Sequence, residues 1–215
     1  MRILRFNVGP LDNNTYLMVD ESTREAAIVD PSFDSAGVWD RVEQDGLTLV
    51  RVLNTHAHID HVVENALFVE RSGAPLALHP ADLPLLHAMS EQAAWMGVPP
   101  PRPAEPTHAL CHGESIRIGG EAVTVAHTPG HSPGSVSFVG DGFVLSGDAL
   151  FAGSIGRTDL PGGDLTQLLR SIHGRLLTLP DATIVYPGHG HETTIGRERR
   201  SNLFLQGTHE RDDAD

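Results

Sequence analysis

Residues 55–61 read Thr-His-Ala-His-Ile-Asp-His, so three histidines and one aspartate fall within six consecutive positions. An apolar run typical of a buried strand comes directly before them, and a helical pattern begins at Asp60. His56 and His58 are two positions apart, so in extended backbone they project to the same side and can bind one metal ion. Asp60 and His61 lie at the helix start and can bind a second ion. The segment therefore predicts a metal centre where a strand ends and a helix begins.

Three further turns each follow a predicted strand and present one potential ligand. Their segments are Pro129-Gly130-His131, Ser146-Gly147-Asp148 and Pro187-Gly188-His189. Gly147 would let the backbone approach a neighbour closely. A histidine after a Pro-Gly turn is, by itself, more often a surface residue, but together with the first cluster these turns favour metal binding. The predicted ligands are His56, His58, Asp60, His61, His131, Asp148 and His189.

The composition indicates a soluble globular chain of 215 residues, with 40% hydrophobic and 20% charged residues. Its 28 acidic and 15 basic residues leave a net charge of −13, which disfavours nucleic acid and anionic membranes as partners. A small substrate, even an anionic one, stays compatible because a metal pair outweighs distant surface charge. Cys111 is the single cysteine, and no apolar run could span a bilayer. We expect a cytoplasmic protein; its oligomeric state is not defined by the sequence.

Short apolar runs predict strands at residues 15–20, 26–30, 49–54, 75–79, 115–118, 122–127, 135–139, 143–146 and 183–186. Helical patterns cover residues 35–42, 60–71, 164–177 and 193–205, and another helix begins near Pro80. This α+β pattern predicts a sheet-on-sheet core covered by helices. We expect one domain over residues 1–206 and a disordered acidic tail over residues 207–215. Residues 97–106, rich in proline, predict an extended surface loop, and whether it is a lid stays open.

The His-Xaa-His-Xaa-Asp-His element, followed in order by the three later ligands, resembles the metallo-β-lactamase superfamily. In detail it is similar to the glyoxalase II (hydroxyacylglutathione hydrolase) branch, especially its short bacterial members. The resemblance covers residues 2–206 and implies a single-domain αββα four-layer sandwich with the metals at one edge. It also implies two ligand sets, which are His56, His58 and His131 for the first ion, Asp60, His61 and His189 for the second, and Asp148 bridging both.

Departures from related branches narrow the expected activity. True β-lactamases of this fold commonly lack the carboxylate that Asp148 supplies, and its processing nucleases carry extra domains. Full-length glyoxalase II adds a C-terminal helical domain, which we do not expect here. Its glutathione-contacting loop often reads Gly-Lys-(Phe/Tyr)-Tyr, whereas residues 156–160 read Gly-Arg-Thr-Asp-Leu. Arg157 is a candidate for binding a substrate carboxylate, and the alternative is a structural pairing with Asp159 or Asp164.

The resemblance implies a metal-dependent hydrolase of glutathione thioesters such as S-D-lactoylglutathione, acting by attack of a metal-bridging hydroxide on the thioester carbonyl. A thiol has a pKa of ~8.5, so its thiolate leaves without a dedicated acid. Asp60 and Asp148 are the catalytic candidates, and Asp60 could also orient the hydroxide. Two divalent ions are expected, and zinc is the first choice. Iron and manganese stay open, because imidazole and carboxylate ligands suit them as well.

Other functions stay open at this point. Persulfide dioxygenases resemble the same branch and oxidise glutathione persulfide at one iron, for which His56, His131 and Asp148 would be the ligands. Residues 156–159 resemble their loop, whereas the Pro-Gly-His-Gly turn at His189 favours a complete second site. Lactone hydrolysis and a non-catalytic metal-binding module rank lower, the module because a decayed site usually loses a ligand.

Overall fold

The computed structural model describes residues 1–206, which form two six-stranded sheets and a small ribbon. The first sheet contains, in spatial order, β1 (Arg2–Val8), β2 (Asn13–Val19), β3 (Glu25–Val29), β4 (Thr48–Leu53), β5 (Leu76–Leu78) and β6 (His108–Ala109). The second contains, in spatial order, β14 (Thr193–Thr194), β13 (Ile184–Pro187), β10 (Phe143–Gly147), β9 (Val136–Gly140), β8 (Glu121–His127) and β7 (Ser115–Ile118). The ribbon pairs β11 (Leu150–Phe151) with β12 (Ser154–Ile155).

Short helices connect and cover these strands. They are α1 (Val38–Gln44), α2 (Ile59–Val62), α3 (Asn65–Ser72), α4 (Leu83–His87), α5 (Met89–Met96), α6 (Leu165–Ser171) and α7 (Ile195–Ser201). Asp164 caps α6 by accepting a hydrogen bond from Gln167 N at 2.9 Å, as the sequence predicts. A wider helical turn, Ile172–Leu176, continues α6.

Alternation along the strands creates the layers, because successive side chains of a strand point to opposite faces. In β2, Tyr16 packs with Phe138 of β9 in the core between the two sheets. Its neighbour Leu17 packs with Phe68 of α3 on the outer face. Since both faces of β2 are covered, every residue of this strand is buried.

The second sheet repeats this arrangement. Leu145 of β10 joins the core between the sheets, while its neighbour Val144 packs with Leu168 of α6 and Ile195 of α7. The order of layers is therefore helix, sheet, sheet, helix, and the predicted αββα single-domain sandwich is confirmed. The predicted disorder of residues 207–215 lies outside the described residues and stays a prediction, as does the boundary at 206. Across the described part of the chain, no helix has the length and apolar character needed to cross a membrane.

The structure differs from the local predictions at several places, including the helix predicted over residues 193–205, of which only Ile195–Ser201 is α-helical. Two further differences have clear causes. The helix predicted over residues 60–71 is divided into α2 and α3, because Glu64 N is bonded to Pro31 O (3.0 Å) outside the helix. The strand β1 was missed, since it alternates exposed and partly buried residues at the edge of its sheet and lacks a strong apolar run. Both misses reflect contacts made across the fold.

Candidate metal centre

The fold brings all seven predicted ligands to one edge of the sandwich. Asp148 follows β10 and His189 follows β13, and these two strands pair in parallel, so their carboxyl ends lie side by side. His56 follows β4 in the other sheet, and His131 lies between β8 and β9. The remaining ligands lie on or beside α2, directly after β4. Because the ends of separate strands meet here, residues far apart in sequence become neighbours.

The first donor group consists of His56, His58 and His131, which are all buried. His131 Nε2 is 3.2 Å from His56 Nε2 and 2.8 Å from His58 Nδ1. Ligand nitrogens about 2.05 Å from a tetrahedral zinc ion are about 3.3 Å apart. The three imidazoles are therefore spaced as ligands of one ion would be.

The second donor group consists of Asp60, His61 and His189. The Nε2 atoms of His61 and His189 are 3.2 Å apart, and Asp60 Oδ2 is 3.5 Å from the former and 3.4 Å from the latter. This spacing also matches a single ion. The mixed imidazole and carboxylate set is compatible with zinc, iron or manganese.

Asp148 lies between the two groups. Its Oδ2 is 3.6 Å from His131 Nε2 and 3.4 Å from His189 Nε2, while its Oδ1 is 3.5 Å from His61 Nε2. Asp148 Oδ1 is buried without a hydrogen-bond partner among the described residues. A buried carboxylate oxygen without a donor is unfavourable, so its position fits a cation between the groups.

The outer nitrogens of four histidines are bonded to the protein, which sets their tautomers. The four Nδ1 contacts are His56 to Thr55 Oγ1 (3.0 Å), His61 to Asp30 Oδ2 (3.1 Å), His131 to Arg157 O (2.7 Å) and His189 to Leu11 O (2.9 Å). Carbonyl and carboxylate oxygens only accept, and the Thr55 hydroxyl accepts from His56 because its own proton is donated to Asp30 Oδ2. In each neutral imidazole, Nδ1 therefore carries the proton and the Nε2 lone pair faces the centre. Such outer bonds orient histidine ligands in metal sites.

Asp30 is the main support that sequence reasoning missed. It is buried, and its carboxylate accepts hydrogen bonds from Thr55 N and Thr55 Oγ1, both at 2.7 Å, besides the contact with His61. Its backbone is left-handed, with φ of 51°. The only signal in the sequence was an aspartate at the end of a buried strand, which has no specific meaning until β3 is known to pair with β4.

Replacing Asp30 by asparagine should weaken metal binding by about 10- to 100-fold, because the support of His61 loses its charge. Asparagine keeps the shape of the side chain and tolerates left-handed backbone, so the fold is retained. Competition titration against a chromogenic chelator measures the affinity. The matched control is Asp34→Asn, an exposed aspartate that also has left-handed backbone, with φ of 60°. Equal affinities for the two variants would contradict this role of Asp30.

Two other missed residues connect the ligand segments. Asn13 is fully buried and donates from Nδ2 to Asp60 Oδ2 at 3.0 Å. Asp82 accepts from Ala57 N at 2.9 Å and from Ser132 Oγ at 2.7 Å, so it joins the first ligand segment to the turn of His131. No feature of the sequence singles out either residue, because both act through long-range contacts.

The electrostatics of the two groups differ. Burial lowers the pKa of His58 to about 4 and the pKa of His56 well below its ordinary value, so both are neutral donors near pH 7. Burial alone would lower the pKa of His61 too, but Asp148 and Asp60 outweigh it and raise the pKa to about 9. Without metal, protons on the second group therefore balance the charge of the carboxylates. A bound cation would balance the same charge.

Close packing at the ligand turns requires glycine. A Cβ on Gly188 would lie 2.1 Å from Asp148 Oδ1, and one on Gly147 would lie 2.6 Å from Thr55 Cβ. Gly147 also has φ of +51°. The predicted close approach at Gly147 is confirmed, and any larger residue at Gly188 would displace the Asp148 carboxylate.

A cavity of about 430 Å³ opens beside the two donor groups. Arg157 lines it, but its Nε and Nη2 donate to Asp159 at 2.7 and 2.8 Å. The structural pairing with Asp159, which the sequence left open, is therefore present. Residues 97–106 do not contribute to the described lining; within them, Arg102 pairs with Glu70 of α3. In this structure the proline-rich loop therefore does not cover the cavity.

Known sequences and structures are similar to this chain to different degrees. The sequence matches the metallo-β-lactamase superfamily over residues 8–189. The probable metallo-hydrolase YqgX of Bacillus subtilis is 39% identical over 210 residues, covering 96% of this chain and 99% of the relative. Hydroxyacylglutathione hydrolase GloC of Haemophilus influenzae is 36% identical over 209 residues, covering 95% of this chain and 98% of the relative.

Solved structures share the fold. BLEG-1 B3 metallo-β-lactamase has a TM-score of 0.89 at 40% identity, covering 96% of this chain and 100% of that chain. TTHA1623 in a di-iron-bound form has a TM-score of 0.85 at 41% identity, covering 94% of this chain and 100% of that chain. ETHE1 from Myxococcus xanthus has a TM-score of 0.80 at 31% identity, covering 94% of this chain and 84% of that chain. These relatives carry different names, so fold similarity alone does not specify the substrate.

Proposed function

The chain belongs to the metallo-β-lactamase superfamily and is a metal-dependent hydrolase, and we propose that it hydrolyses glutathione thioesters such as S-D-lactoylglutathione in the cytoplasm. The observation that carries the proposal is the pair of complete donor groups that Asp148 contacts from both sides. A relative of nearly equal length, GloC, is named a hydroxyacylglutathione hydrolase and supports the glutathione thioester as substrate.

The donor groups suggest a role for each side chain. We propose that His56, His58 and His131 hold one divalent ion, that the second group holds another, and that Asp148 bridges them. When bound, such a pair supplies hydroxide at neutral pH and polarises a carbonyl. Zinc is the proposed metal, although the di-iron form of the similar protein TTHA1623 makes iron a specific competitor.

The protein's own residues would orient the reacting groups. Asp60 and Asp148 both line the cavity, and the Asn13 amide holds Asp60 Oδ2 at 3.0 Å. We infer that Asp60, held in this way, accepts a hydrogen bond from the attacking water. The leaving thiolate needs little protonation, since a free thiol has a pKa of ~8.5. A thioester therefore suits a site without a dedicated acid.

Purified protein reconstituted with zinc should release thiol from S-D-lactoylglutathione with kcat/KM above ~10⁴ M⁻¹s⁻¹, a range typical of enzymes acting on their own substrates. A chelator-treated sample is the control. No release above that control from protein that holds two ions would overturn the glutathione thioester assignment. Oxygen uptake with glutathione persulfide, and hydrolysis of a lactone and a β-lactam, then identify which other reaction class applies.

The persulfide reaction remains the second candidate. Its one-iron site would use only His56, His131 and Asp148. It would leave the whole second group without a role, although His61 and His189 are closely spaced and supported by outer hydrogen bonds. Iron content and oxygen consumption distinguish this candidate from hydrolysis.

A further inference from the structure

The lining of the cavity beside the donor groups includes several large apolar side chains. These side chains come from four separate segments: the β1–β2 turn, α4, α5 and the loop after β12. We call this surface the apolar wall, and its residues are Leu11, Leu85, Trp95, Met96 and Leu160. Because distant segments converge to build it, the wall is a product of the fold and not of one hydrophobic stretch.

The wall exposes large apolar groups next to polar donors. Trp95 is 69% exposed and Leu11 is 47% exposed. Covering apolar side chains of this size with a ligand would lower the free energy. Exposed apolar surface that adjoins a concave polar site is typical of ligand-binding grooves. His58, Asp60 and Asp148 line the same cavity. A ligand group that packs on the wall would therefore lie close to the reacting centre.

The charge in the cavity does not favour an anionic group at this wall. The sequence contains no lysine, and Arg157 is the one arginine among the described residues of the lining. Both of its bonded nitrogens are engaged by Asp159. A glutathione carboxylate would therefore have to compete with Asp159 for this arginine, and we infer that the carrier extends towards solvent. The part of a thioester left to occupy the wall is its acyl group.

We propose that the apolar wall binds an aliphatic acyl group on the reacting carbonyl, so that medium-chain acyl thioesters are better substrates than short hydroxyacyl ones. This inference rests on the proposed thioesterase function and specifies its substrate class. Trp95, which has the largest side chain of the wall, is the principal specificity residue. An indole presents a large rigid surface to an alkyl chain at little entropic cost.

A chain-length series tests the proposal directly. The kcat/KM of the zinc-loaded protein is measured for S-D-lactoyl-, S-butyryl-, S-hexanoyl- and S-octanoylglutathione. We expect a rise of roughly threefold to fourfold for each methylene until the wall is covered, as burial of a methylene predicts. A flat or falling series would overturn the proposal.

Substitution of Trp95 locates the effect. Trp95→Ala should lower the ratio of hexanoyl to lactoyl kcat/KM by about tenfold, and Trp95→Phe should recover most of that ratio. Because Trp95 is exposed, we expect its replacement to leave the fold intact, and thermal unfolding checks this. Leu203→Ala is the matched control, since Leu203 is 83% exposed and lies outside the described cavity lining. An unchanged ratio in Trp95→Ala contradicts the assignment.

A binding measurement separates this inference from the proposed function. S-hexylglutathione is a thioether that cannot be hydrolysed, and it should change the fluorescence of Trp95 and bind at least tenfold more tightly than S-methylglutathione. If no glutathione thioester is cleaved but the hexyl preference persists, the function is wrong and the wall is supported. If lactoylglutathione is cleaved but the hexyl preference is absent, the function stands and the wall is wrong.

Discussion

Replacing Asp148 by alanine should lower kcat/KM for the thioester by roughly 10³-fold, because a metal pair typically contributes several kcal/mol of charge stabilisation. The Asp148 carboxylate lies within 3.6 Å of His131 in the first group and 3.4 Å of His189 in the second. Its loss removes a single negative charge that both groups share, and it takes one donor away from each group. We therefore also expect fewer than two bound ions per chain, counted by elemental analysis of the purified variant.

Asp141→Ala is the matched control, because Asp141 is exposed and lies just before β10, whereas Asp148 comes just after it. The control should keep both ions and the full rate. Should Asp148→Ala retain two ions and act within threefold of the unaltered protein, Asp148 does not bridge the groups.

Removing the metal should abolish thioester hydrolysis and lower Tm by roughly 10 °C. A ligand present at a thousand times its Kd stabilises the folded state by about 4 kcal/mol. In a domain of this size, each kcal/mol shifts Tm by about 2–4 °C. Without cations, only protons on His61 and His189 balance the charge of the Asp60 and Asp148 carboxylates.

Dialysis against a chelator, followed by calorimetry and assay, measures this effect. Zinc, iron(II) and manganese are then added back separately, and the ion that restores both Tm and rate identifies the functional metal. His191→Ala, which alters an exposed histidine outside the donor groups, should lose and regain activity like the unaltered protein. Full activity at less than a tenth of an ion per chain would exclude metal dependence.

Much of the fold was predictable because it depends on local patterns. The apolar run of β2 predicts a strand buried on both faces, and the structure covers it with the second sheet on one side and α3 on the other. The α6 cap at Asp164 also follows from local chemistry. The edge strand β1 and the break between α2 and α3 were not predicted, since their causes lie in neighbouring strands and loops.

The cavity shows a similar limit. Sequence reasoning considered the Arg157 side chain, but the structure shows that the backbone oxygen of the same residue accepts a hydrogen bond from His131. Trp95 had no assigned role, because nothing local indicates that α5 faces the donor groups. Side-chain type alone could not distinguish these roles.

By itself, the sequence determined the secondary-structure pattern and the seven candidate donors, because strand periodicity and glycine-containing turns are properties of short segments. The tertiary structure decided how those donors are supported. Asp30 supports His61 across 31 positions, and Asn13 holds Asp60 across 47. Such pairings depend on which strands lie side by side, and local sequence does not encode that proximity, because it arises only when the two sheets stack and their ends meet.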